Sequence, residues 1–248
     1  MADNLNGRPK GIQTALINAS VTLERPPYSP AVGHRKDLPS AGTARVNKAI
    51  SVESPGGTSL WSEEHAQQTV LQQHCAFFDR DADGVISPLD TFRGLRLLGF
   101  ALVLCAVGAL GTHLLLSYAT SPSVLPDPLL RIHLQNIHRA KHGSDSGVYD
   151  SEGRFIPQKF EDFFSKYGKG KDGVTLNDIR DALKGMRVLM DPVGWFCTFM
   201  AWTWTYMLLW PEDGFLRKDD IRRVFDGSIF QDIAEGRKAK KESTKKGE

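Results

Sequence analysis

From Leu97 to Pro126 the chain carries not one Asp, Glu, Lys or Arg, and this stretch limits what the rest can fold into. Its first part, Leu97 to Ala119, reaches the ~20 apolar residues that cross the hydrocarbon core of a bilayer as a helix. A helix that is apolar all round must be covered by protein or by lipid, and a chain of 248 residues has little material with which to cover one this long. The stretch therefore reads as membrane-embedded. Pro122, Pro126 and Pro128 end the helix, because proline lacks an amide donor and restrains the residue before it. Basic residues flank both ends, Arg93 and Arg96 before and Arg131, Arg139 and Lys141 after, so the positive-inside rule gives no orientation. A segment that enters and returns on one face accounts for that symmetry.

Residues 1 to 58 are rich in Pro, Gly, Ser, Asn and Ala without sustained apolar periodicity, which predicts a flexible arm. Ser62 followed by Glu63 and Glu64 reads as a helix start with acids near the positive end of the dipole, and a helix is expected from Ser62 to Phe78. A second uncharged stretch, Pro192 to Pro211, holds Trp195, Trp202, Trp204 and Trp210. Such rings suit a membrane interface and equally a core or ligand wall. From Arg237 onward six basic residues stand against two acids, the pattern of a solvated basic tail.

The formal net charge of +2, with no basic cluster interleaved with stacking aromatics, argues against a nucleic-acid partner. Cys75, Cys105 and Cys197 are far apart in apolar surroundings, the usage of buried thiols in a reducing compartment. No secretory signal pattern opens the sequence.

Asp79-Arg-Asp-Ala-Asp-Gly-Val-Ile-Ser-Pro-Leu-Asp90 has the spacing of an EF-hand loop: acids at positions 1, 3, 5 and 12 and glycine at 6. A hard dication wants six or more oxygens. Asp79, Asp81, Asp83, the Val85 carbonyl, Ser87 and Asp90 supply them, and Gly84 permits the sharp turn. Position 12 is Asp rather than the longer Glu, which predicts weaker calcium binding and poorer discrimination against magnesium. Two later Asp-Gly turns, at Asp172 and Asp213, lack acids at positions 1 and 3. With Asp213 at position 5, Leu216 falls at 8 and Asp220 at 12, so this metal-free loop is expected to pair with the first through a short β-bridge, whereas Asp172 reads as an ordinary turn.

His74-Cys-Ala-Phe-Phe-Asp-Arg80, the loop with Pro88, Gly94-Leu-Arg-x-Leu-Gly-Phe100, Asn136-Ile-His-Arg-Ala-Lys-His-Gly-Ser-Asp-Ser146 and Ile221-Arg-Arg-x-Phe-Asp-Gly-Ser228 together resemble the caleosins. The resemblance covers residues 60 to 235. It implies a monotopic protein of lipid droplets and endoplasmic reticulum, and a haem-dependent peroxygenase that oxygenates unsaturated fatty acids with a hydroperoxide as donor. It also implies that His74 and His142 serve haem b, as ligands or with one as the acid/base. From the residues alone His74 reads as a packed core histidine and His142 as a surface one, since neither has a haem-attachment motif. Arg131 stands where plant members commonly have another proline.

The expected fold class is mainly α: a disordered arm (1–58), an EF-hand calcium module (59–96), a membrane-embedded segment (97–130), a C-terminal helical domain (131–235) and a basic tail (236–248). The implied cofactors are calcium and haem b. The implied partners are a lipid monolayer or membrane, fatty-acid hydroperoxides and unsaturated fatty acids, with self-association a further expectation. The competing expectation is a calcium-binding coat or tether of lipid droplets without catalysis.

Overall fold

The computed structural model describes residues 12–16, 19–22, 38–169 and 171–246, and the chain is mainly α as expected. β1 (Ile12–Leu16) and β2 (Ala19–Thr22) pair antiparallel; the rest of the expected arm up to residue 37 lies outside the described residues. From residue 38 the arm expectation fails, because this part of the chain packs. Ala49, Ile50 and Ser51 are buried, Arg45 and Phe155 exchange two backbone hydrogen bonds of 2.6 and 2.9 Å, and Glu53 lies 2.7 Å from Lys218 Nζ. Many of its partners, Phe155, Glu161 and Lys218 among them, lie more than 100 residues away, where local composition gives no hint of them.

The single helix expected over Ser62 to Phe78 is two, α1 (Ser59–Glu64) and α2 (Val70–Ala76). Thr69 separates them by starting α2 with a capping box, in which Gln72 Oε1 accepts the Thr69 N–H at 2.9 Å and the Thr69 hydroxyl oxygen accepts the Gln72 N–H. Gln73, wholly buried, donates to the Asn47, His65 and Gln68 carbonyls and ties the break down. Within the Asp79–Asp90 loop lies β3 (Val85–Ile86), and α3 (Pro88–Leu97) starts before the loop ends, with Ser87 as its N-cap and proline as its first residue. Gly99, at φ +89°, then turns the chain, so that the apolar helix α4 starts later than expected and spans Leu102–Thr120.

β4 (Ile132–His133) and a 3-10 segment (Leu134–Ala140) bring the chain back. α5 (Pro157–Phe163), a π turn (Phe164–Gly168), β5 (Gly173–Thr175), α6 (Leu176–Met186), α7 (Pro192–Leu209), β6 (Phe215–Arg217), α8 (Lys218–Asp226) and α9 (Ser228–Lys246) complete the order. The expected basic tail continues α9 as a helix through Lys246.

The β-bridges correct the expected loop pairing. Asp213's loop does not pair with the calcium loop; it pairs with Asp172's, Val174 opposite Leu216 in the β5–β6 ladder. Both side chains are fully buried, with Phe155, Phe160 and Ile221, in the C-terminal core. The calcium loop pairs instead with β4, Ile86 opposite Ile132, over a separate cluster with Leu134 and Ile137. The strand that follows the apolar helix thus takes the place a second loop holds in a paired EF-hand.

Candidate calcium loop and histidine sites

Three carboxylates of the loop converge. One oxygen each from Asp79, Asp81 and Asp83 lies within 4.8 Å of the others, and Gly84, at φ +79°, makes the turn that brings them there. Backbone amides hold two of them in place: Gly84 N–H donates to Asp79 Oδ2 at 3.0 Å and Val85 N–H to Asp83 Oδ1 at 2.7 Å. Asp79 Oδ1 is buried without a hydrogen-bond partner. Burial and the nearby Asp83 and Asp81 charges push the Asp79 carboxyl above the ordinary aspartate range, against the Gly84 amide. An orphaned oxygen among like charges is what a bound cation would relieve, so this donor set fits calcium.

Ser87 and Asp90, expected as ligands, are turned to each other. Ser87 N–H and O–H both donate to Asp90 Oδ2, at 3.0 and 2.5 Å, and Ser87 Oγ accepts the Asp90 amide. The pair closes a capping box on α3. Thr175 and Asp178 repeat it at the start of α6, and there Lys171 Nζ lies 2.7 Å from the Asp178 carboxylate, a built-in cation beside a loop lacking the other acids.

His74, on α2, faces α8. Its Nδ1 is 2.6 Å from the Val224 carbonyl, which can only accept, so Nδ1 carries the proton. Burial holds its pKa below the usual histidine value, against the Val224 carbonyl and Asp226, and the ring is neutral at pH 7. Phe230 of α9 stands edge-on to it with centroids 5.2 Å apart. Gly227, left-handed at φ +80°, lets α8 approach: a Cβ there would lie 2.6 Å from the Gln73 carbonyl oxygen and 2.9 Å from His74 Cα.

His142 belongs to different surroundings. Its Nδ1 is buried without a hydrogen bond, 3.9 Å from Asp191 Oδ2, while the side chain as a whole stays 23% exposed, so the ring sits partly at the surface with one nitrogen turned inward. Asp191 caps α7 by accepting the Gly194 amide and also accepts the Ser144 N–H and O–H at 3.0 and 2.7 Å. These bonds lash the His142 loop to the start of α7.

The apolar helix is two-faced. Cys105, Ala109, His113, Ser117 and Thr120 are buried, whereas Val103, Val107, Leu110, Leu114 and Tyr118 are exposed. Polar bonds fill the buried face: His113 Nε2 lies 2.8 Å from Thr91 Oγ1 of α3, His113 Nδ1 2.5 Å from the Leu130 carbonyl, and Asn136 donates to the Thr120 carbonyl at 3.0 Å. Both ends of α4 therefore attach to one body, α3 at the start and the 132–140 segment at the end.

Residues 66–234 match the family model described as caleosin related protein. The chain belongs to the caleosin family. Among its relatives, a protein of Lilium longiflorum named peroxygenase is 40% identical over 227 residues, 91% of this chain and 93% of the relative. The probable peroxygenase 4 of Arabidopsis thaliana is 38% identical over 70% of this chain and 90% of the relative. A third, from the same plant, named probable inactive peroxygenase-like protein, is 33% identical over 62% of this chain and 74% of its own. No solved structure matches.

In this caleosin the motif Ile221 to Ser228 carries structure around His74 that sequence reading passed over. Arg222 Nη1 donates to the Ala49 carbonyl at 3.0 Å and lies 3.3 Å from Asp226 Oδ2. Thr58 O–H donates to the same carboxylate at 3.0 Å, and Trp61 Nε1–H donates to the Asp226 carbonyl at 2.7 Å. Tyr149 O–H donates to the Phe225 carbonyl at 2.5 Å. Asp191, which holds the His142 loop to α7, had one signal only: it stands at a helix start.

Proposed function

We propose that this caleosin is a calcium-binding, haem-dependent peroxygenase on the cytosolic face of lipid droplets or endoplasmic reticulum. It oxygenates unsaturated fatty acids with a fatty-acid hydroperoxide as oxygen donor; the names of its relatives support the reaction class. The haem reading rests on the His74 imidazole. A metal-ligating histidine donates its other ring N–H to a carbonyl or carboxylate, which fixes the tautomer and aims the free nitrogen. His74 Nδ1 does this toward Val224, and burial keeps the ring in the neutral, ligating form. His74 would hold the iron through Nε2. The unpartnered Nδ1 of His142, facing Asp191, suits a group that takes up and returns a proton. Haem, when bound, supplies the oxygen-transfer chemistry; the chain holds the iron, handles the proton and seats the lipid. Asp79, Asp81 and Asp83 hold calcium with the Val85 carbonyl, and Ser87 and Asp90 complete the shell only by turning from their mutual hydrogen bonds toward the cation. The exposed face of α4 lies in the lipid layer, which needs no crossing because both of its ends join one body.

Purified full-length protein is expected to carry stoichiometric haem with a Soret band that His74→Ala abolishes. His142→Ala is expected to retain the band and lose fatty-acid hydroperoxide turnover. Folded protein without haem rejects the enzyme. A second reading, a calcium-binding droplet coat without catalysis, draws on the enclosure of His74 by Phe230 and on the separate surroundings of the two histidines; the same spectrum decides between them.

A further inference from the structure

Two helices of the C-terminal half face each other without closing. α6 presents Leu176, Ile179 and Leu183, and α7 presents Trp195, Phe199 and Trp202, each set at the three-and-four spacing of one helix face, around a cavity of 620 Å³. That volume lies within the ~300–1,000 Å³ of small-ligand sites. Its rim is charged. Arg180, Lys184 and Arg187 follow one another along the same edge of α6, all exposed, and none makes an ion pair with a carboxylate among the described residues. No Asp or Glu lines the cavity. Arg187 lies over the Trp195 ring at 5.0 Å, where apolar wall and basic rim meet. Phe199, half exposed, and Leu176 leave the mouth open. Deeper in, Ser144 lines the wall and accepts the Thr198 hydroxyl on its carbonyl, so the cavity abuts the loop that carries His142.

An apolar slot with unpaired cations along one edge complements a single amphipathic anion. We propose that a long-chain fatty acid binds between α6 and α7, its chain against the tryptophans and its carboxylate held by Arg180, Lys184 and Arg187. The binding stands on this geometry; that the bound acid is the substrate rests on the peroxygenase reading.

Full-length protein in phosphatidylcholine nanodiscs is titrated calorimetrically with oleic acid and with methyl oleate, each corrected for empty nanodiscs. The acid is expected to bind about tenfold tighter than the ester, the order of one charge-assisted contact. The triple variant Arg180→Gln, Lys184→Gln, Arg187→Gln, at exposed positions, is expected to lose that preference with its calcium titration unchanged. Ile179→Trp, which fills the slot, is expected to lose both ligands. Equal affinity for acid and ester in the native protein, or an undiminished preference in the triple variant, overturns the site. Hydroperoxide-dependent turnover of oleic acid on the same samples separates the two ideas. Native turnover with KM unchanged in the triple variant removes the cavity as the substrate site and leaves the enzyme; oleate preference without turnover leaves the cavity and removes the enzyme.

Discussion

Asp90 is one methylene too short to do two things at once. Its Oδ2 takes both hydrogens that Ser87 offers, and the carboxylate is committed to starting α3 rather than to the cluster of Asp79, Asp81 and Asp83. Glutamate at the same N3 position still closes a capping box and reaches farther toward the cation. Asp90→Glu is therefore expected to tighten calcium binding about tenfold in a calorimetric titration; unchanged affinity would mean that the loop does not limit binding here. Asp178 is the counterpart with its cation supplied by the chain. Burial raises its carboxyl, but the Lys171 ammonium and the Thr175 N–H and O–H outweigh that and bring it to about 2. A depressed folded value contributes stability above the unfolded value, ~3.9 for aspartate, and the contribution is lost as pH falls through about 2. Lys171 is 44% exposed, so screening trims the effect to about 1–2 kcal/mol. Urea unfolding across that acid range should show native stability falling and Asp178→Asn flattened; parallel profiles would discount the pair.

At the scale of elements, the contact that matters most for His74 is the crossing of α2 over the end of α8. Gly227 permits it, and the atoms a Cβ would meet are backbone atoms of Gln73 and His74, which have nowhere to go. Gly227→Ala adds the strain of a left-handed residue to that clash. It should cost ~2–3 kcal/mol in denaturant unfolding and weaken haem retention by displacing Val224; a neutral outcome would mean that α8 does not fix the ring. The buried Lys218 ties the 38–58 segment to the C-terminal half, with Glu161 at 2.6 Å and Glu53 at 2.7 Å. Lys218→Met leaves Glu161 buried and unpaired and is expected to cost ~3–5 kcal/mol by the same measurement. These elements mark how far the sequence can be read. The turn that gathers Asp79, Asp81 and Asp83 and the exit helix after it were legible because acid spacing, turn glycine and cap all sit within twelve contiguous residues. The pairing of β3 with β4 was not, since Ile132 lies beyond the entire apolar helix and carries no loop motif. Nor was the β5–β6 pairing, because the Asp172 turn, judged by its missing acids, looks like any other turn. The inward turn of the His142 Nδ1 was not legible for a similar reason: Asp191, 3.9 Å from it, is nearly fifty residues away.

For the whole molecule, the two faces of α4 change which experiment tests the lipid seat. A uniformly apolar segment invites deletion, and loss of flotation on deletion would ordinarily identify an anchor. Here deletion would also remove His113, whose two nitrogens join α3 to Leu130, and Thr120, which holds Asn136. The calcium loop would then lose β4, and lost flotation would report misfolding as readily as a lost anchor. The informative change leaves the buried face intact. Val103→Asp, Val107→Lys and Leu114→Lys alter only positions at least 60% exposed, where in water they disturb no core but in a lipid layer each charge costs ~2.5–3.5 kcal/mol at depth. The triple variant is expected to keep its calcium affinity and thermal unfolding and to shift from the floating lipid-droplet fraction to the soluble one. Flotation equal to that of the native chain, with folding equally intact, would place the lipid contact elsewhere. The remaining candidate is then the outer side of α7, where Val193 and Phe196 are also more than half exposed and where Trp204 already packs on Phe100 beside α4 at 5.0 Å.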